Sequence, residues 1–178
     1  MNSKVISLGC IGLISIIPCL AQNPELTGEA VLTTNIGAFK INSAGDVKAF
    51  GKIQMSFKRG TLLIVGYEGT TPIAASSGLR TEYQNDKRKR IVFHGEGTVT
   101  LDGKYQSIQF FGRDLKMTWN GMGICRLYGE FDKAGETGTY FVKGDKERPW
   151  GTGGTYFTLP ARNANIVVPK IRPKGSGG

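Results

Sequence analysis

Apolar and polar residues alternate one by one through most of this chain, and that period of two constrains the fold more than any other feature. "IQMSF" sets Ile53, Met55 and Phe57 against Gln54 and Ser56, and "LKMTW" sets Leu115, Met117 and Trp119 against Lys116 and Thr118. "TVTL" and "SIQF" repeat the pattern. Successive side chains of a strand point to opposite faces, so such runs present one apolar and one polar face of a sheet. "TLLIVG", Thr61 to Gly66, is apolar on both faces and belongs in the middle of the structure. No window carries a helical stripe of useful length. The expected fold is all-β, a single compact antiparallel sandwich or barrel-like domain.

Turn chemistry divides these runs. Asp102-Gly103 in "LDGK" and Asn120-Gly121 in "WNGM" have the form of tight two-residue hairpins, which predicts a four-stranded meander over 98–128. "SAGD", "DKAG" and "VKGD" are looser turn signals. Glycines recur at 45, 51, 60 and 66 and again at 97, 103, 112 and 121. That spacing suits a short β-solenoid with glycine at its corners as the alternative fold. "VKAFGKIQMSF" (47–57) also echoes "IQFFGRDLKMTW" (108–119), which is consistent with a duplicated two-strand unit.

The N-terminus sets the destination. Lys4 precedes an apolar run from Val5 to Ile17, Pro18 ends it, and Cys19-Leu20-Ala21 has the small residues of a cleavage site. This is the form of a secretory signal peptide, residues 1–21, and predicts an exported protein, periplasmic or extracellular. No other stretch is long and apolar enough for a membrane helix, so no transmembrane segment is expected. The remainder divides into a β domain over 22–160 and a C-terminal tail over 161–178. With Cys10 and Cys19 in the signal, Cys125 alone remains, and its setting in "GICRLYG" is that of a small buried residue.

Beyond the signal, 22 Lys and Arg stand against 14 Asp and Glu, a net charge of +8. Two segments carry most of the excess. Arg80 to Arg90, within an expected loop at about 70–90, holds five basic and two acidic residues, and the tail holds four basic residues and no acid. Lys87, Arg88, Lys89, Arg90, Lys170, Arg172 and Lys174 are therefore the candidate polyanion-binding residues, with an anionic polymer or envelope surface as the partner class. Single-stranded nucleic acid would need stacking rings beside that charge, and only Tyr83 and Phe93 lie near the loop, so no specific nucleic-acid recognition is evident.

Chemistry is sparse. His94 is the sole histidine, which argues against a histidine-based metal site, and no cofactor motif is present. His94 with Glu96, or Glu130 with Asp132 in "YGEFD", could serve a secreted hydrolase. Trp150 and Tyr156 in "RPWGTGGTYF" could stack on sugar rings, the basis of a carbohydrate-binding alternative, although aromatics in small β domains are mostly core. The leading expectation is a non-enzymatic exported β protein, structural or adhesive, whose basic loop and tail touch anionic polymers.

Overall fold

A computed structural model describes residues 27–69, 71–84, 89–129, 138–150 and 154–160. The signal segment, Glu130, Asp132, Lys87, Arg88 and the tail with Lys170, Arg172 and Lys174 lie outside the described residues.

Four long strands carry the structure: β1 (Gly28–Asn42), β2 (Ala49–Val65), β6 (Arg90–Tyr105) and β7 (Ser107–Tyr128). Shorter strands complete it: β3 (Glu68–Gly69), β4 (Ala74–Ala75), β5 (Leu79–Gln84), β8 (Gly138–Val142), β9 (Arg148–Pro149) and β10 (Tyr156–Leu159). All join one sheet in the order β3-β6-β2-β7-β1-β8-β9, with β4 and β5 also on β6 and β10 on β7. The described residues contain no helix. The all-β antiparallel expectation holds, and the solenoid alternative does not. "TLLIVG" sits in β2 between β6 and β7, with Leu62 and Ile64 fully buried.

The sheet is curled rather than flat. Partners on β7 descend as β1 ascends, from Gly28 opposite Gly121 to Asn42 opposite Ser107, which is an antiparallel register. Ala38 to Asn42 has a second set of partners, from Tyr128 back to Ile124. A residue has one partner per edge, so the two ends of β7 flank the same five residues of β1. At about 4.8 Å between strands they lie roughly 10 Å apart, where 17 straightened residues would span about 56 Å. The curl brings one face inside, but the outer strands do not pair and the sheet does not close into a barrel.

Glycines make the curl. Gly69, Gly103, Gly51, Gly121 and Gly28 are successive cross-strand partners in one row, and Gly95, Gly60, Gly112 and Gly37 form a second. These rows are the corners at which the strands turn inward. At the second row the buried positions change parity: 30, 32 and 34 give way to 37, 39 and 41 in β1, and 53, 55 and 57 to 62 and 64 in β2. Such a slip would turn the apolar side chains outward, but the bulge at Phe57/Gly60 bends the strand and keeps them inside.

The expected hairpins at Asp102-Gly103 and Asn120-Gly121 are therefore corrected. Both dipeptides lie inside continuous strands, and 98–128 is two long strands rather than a four-stranded meander. Their glycines permit close approach of neighbouring backbone: a Cβ on Gly121 would fall 2.0 Å from the Phe50 carbonyl oxygen. "SAGD" and "VKGD" are turns, closed by the Ala44–Val47 bridge and by the Asp145 amide donating to the Val142 carbonyl at 2.9 Å. Within the expected loop, Leu79–Gln84 instead pairs with β6 as β5.

The core lies inside the curl. Phe110 stacks against Phe39 at 5.7 Å and meets Phe57 at 5.1 Å, while Phe157 bridges Trp119 and Tyr140. Cys125 is fully buried there, and loss of hydration pushes its thiol well above the usual range. Because the thiolate is the reactive form, iodoacetamide at pH 8 is expected to leave Cys125 unlabelled in the native protein and to label it fully in denaturant. Rapid native labelling would show that the interior is open.

Candidate functional site

Beyond the second glycine row, the outer face of the sheet is built from the C-terminal half of β1, both ends of β7, and β10. Phe39, Ile41, Phe110, Cys125, Leu127 and Phe157 point inward, so their sequence neighbours point to solvent. Three rows result. Arg59 on β2 faces Arg113 on β7, which also faces Ile36 on β1. In the next row Phe111 and Tyr128 flank Ala38. In the third, Gln109 and Arg126 flank Lys40, and Tyr156 lies beyond Arg126.

This face is aromatic and basic. Phe111 is 67 % exposed, Tyr156 64 % and Tyr128 43 %, and none of the three stacks on another described ring. Arg59/Arg113 and Lys40/Arg126 are like charges directly opposite one another, an arrangement that destabilises a sheet by a few tenths to about 1 kcal/mol. None of the four forms an ion pair with a described residue. Residues 36–42, 107–113, 124–128 and 156–160 contain no Asp or Glu. Two clefts open on the face. One, about 380 Å³, is lined by Ile36, Arg59, Thr61, Phe111 and Arg113, and the other, about 270 Å³, by Lys40, Asn42, Arg126 and Tyr128. Across the corner, a cleft of about 440 Å³ mixes Lys58 and Lys116 with Glu96 and Asp114, so its charges balance.

The residues singled out in the sequence are dispersed. Lys89 is exposed at a positive φ of 48°, and Arg90 begins β6 half-buried. Phe93 is buried, which removes it as a stacking ring, whereas Tyr83 is 75 % exposed. Trp150 has no exposed surface: its ring fills the core beside Gly37, as most aromatics of small β domains do, and leaves no face for the sugar-stacking alternative. Tyr156 is exposed, but its companions are Phe111 and Tyr128.

His94 does not pair with Glu96. Glu96 lines the cleft across the corner, opposite the β2 bulge between Phe57 and Gly60. The His94 Nδ1 instead lies 3.0 Å from the Thr61 hydroxyl, and its Nε2 lies 3.9 Å from the Glu82 carboxylate, which Arg80 also binds. This hydroxyl–imidazole–carboxylate line stands on an open face with its acid already engaged by a guanidinium, so its geometry is that of a polar cross-strand ladder. Among the described residues no cluster of His, Cys, Asp and Glu could hold a metal, and no helix is long and apolar enough to cross a membrane.

The signal for this face is present in the sequence but divided. "FFGR" (110–113) and "CRLY" (125–128) each put an aromatic and an arginine two apart, hence on one side of a strand. Only the register reveals that both flank β1. No family model matches the chain, and no curated protein or solved structure shows significant similarity to it.

Proposed function

We propose that this chain is an exported, non-enzymatic β protein that holds anionic polymers on the outer face formed by β1, β7 and β10. The observation that supports it most is the pair of like-charged cross-strand contacts, Arg59/Arg113 and Lys40/Arg126, beside segments of β1, β7 and β10 that contain no Asp or Glu. A polyanion would relieve both repulsions at once, and three of the four cations are arginines, whose planar fork suits phosphate, sulfate or carboxylate. The basic segments around 87–90 and 170–174 add charge to the same protein and act as secondary contacts. Export rests on the N-terminal segment.

Retention on heparin tests this reading. Each surface cation near a polyanion contributes on the order of 1 kcal/mol, so neutralising four weakens binding on the order of 100-fold or more. The variant Lys40→Gln, Arg59→Gln, Arg113→Gln, Arg126→Gln is expected to elute at much lower salt, with thermal stability unchanged or slightly raised. A control with the same charge loss elsewhere, Lys52→Gln, Lys104→Gln, Lys116→Gln, Lys146→Gln, is expected to elute near the wild type. Equal loss in both variants would reject the face as the binding site.

A further inference from the structure

We infer that the polymer is single-stranded nucleic acid, its bases stacking on the Phe111–Ala38–Tyr128 row; this rests on the polyanion reading above. Charge alone accounts for the arginines and Lys40. It does not account for three exposed rings, none stacked on a described residue, of which Phe111 and Tyr128 lie between the two cationic pairs and Tyr156 lies beside Arg126.

The geometry fits planar rings. Phe111 and Tyr128 stand on the strands either side of β1, two strand spacings or about 10 Å apart, and only the methyl of Ala38 lies between them. A ring held between two others needs about 7 Å, twice the usual contact distance of 3.5 Å, so a modest inward lean of both side chains closes the slot. Tyr156 faces Arg126, two residues from Tyr128, which makes Tyr156 a diagonal neighbour of Tyr128 at about 7–8 Å. Successive bases can therefore meet successive platforms. The cations bracket these rings: Arg113 is two residues before the row in space, and Lys40 and Arg126 two residues after it, about 7 Å on either side. That is close to the phosphate interval of an extended strand, and a groove of positive charge interleaved with aromatics is how sequence-tolerant single-strand binding is built. A duplex hides its base faces. A sulfated polysaccharide offers charge and puckered sugar faces but no flat π-face to fill a slot between two rings, and the heparin arm below separates the two.

The test compares, with the full chain at fixed low salt, a fluorescein-labelled dT12, an abasic phosphodiester 12-mer of the same charge, a 12-bp duplex, a heparin fragment and an anionic phosphatidylglycerol vesicle. The inference expects dT12 to bind roughly tenfold to a hundredfold more tightly than the abasic strand. Phe111→Ala with Tyr128→Ala should erase that excess and leave the abasic affinity in place. Phe111→Leu, which keeps apolar bulk but no ring, should erase part of it. Both residues are exposed, and circular dichroism verifies that the variants fold. Equal affinity for dT12 and the abasic strand, or an excess that survives the double variant, overturns base stacking while the charge reading stands. Tighter binding of the duplex, heparin or the vesicle than of dT12 also overturns it. Absence of binding to every polyanion overturns both readings together.

Discussion

Gly51→Ala is expected to destabilise the protein by about 2–6 kcal/mol, from overpacking of about 1–3 and backbone strain of about 1–3 kcal/mol. Gly51 sits at a φ of +135°, which an L side chain rarely adopts, and an added Cβ would lie 2.2 Å from the Asn120 carbonyl oxygen and 2.5 Å from the Gly121 Cα. Those atoms belong to the neighbouring strand's backbone and cannot rotate aside. The loss is comparable with the whole stability of a typical domain, about 5–15 kcal/mol, so the variant should unfold at far lower denaturant or fail to accumulate folded. Gly45→Ala is the comparison. Gly45 also has a positive φ, +66°, but nothing lies within 4 Å of its added Cβ. It should lose only about 1–2 kcal/mol. If both variants lose the same amount, the corner row is not a close-packed seam.

The second large effect is at Trp119. Its side chain is fully buried, and its register partners are Ile53 on β2 and Ala30 on β1. A Cβ on Gly121 would meet the indole Nε1 at 2.8 Å, and one on Gly123 would meet the far end of the ring at 3.3 Å. The indole thus occupies the space that the corner glycines leave. Trp119→Ala should lose about 3–5 kcal/mol, because the corner backbone cannot collapse into the cavity. Trp150 remains as the fluorescent reporter in that variant, so urea unfolding followed by emission measures the change directly. A loss below 1 kcal/mol would mean that the corner repacks freely.

Much of the fold was legible because alternation is a local signal. Ile53, Met55, Phe57, Leu115, Met117 and Trp119 are all buried, as their period-two spacing requires. The glycine spacing was legible too, since 51, 60, 103, 112 and 121 do mark corners. What failed was the kind of corner. Asp102-Gly103 and Asn120-Gly121 carry the local preference of a tight turn, but whether a glycine ends a strand or bends it depends on what the next strand places opposite. Here that is another glycine, and no single segment shows it.

The candidate site was hidden for a related reason. A run such as Lys87 to Arg90 is conspicuous in sequence, whereas Lys40, Arg59, Arg113 and Arg126 are far apart and each is unremarkable. Register alone gathers them. Trp150 shows the converse: its glycine-rich setting left sugar stacking open as an alternative, but the ring is inside, where small glycines such as Gly37 leave core volume to fill.

Amide chemical-shift mapping during titration with dT12 shows whether one face of the sheet holds the polyanion. Perturbations are expected to concentrate at Ile36 to Asn42, Gln109 to Arg113, Arg126 to Tyr128 and Tyr156, with Thr33, Thr98 and Thr118 across the corner unmoved. Shifts confined to the threonine-rich side, or to residues 87–90 and 170–174 with the face silent, would contradict it.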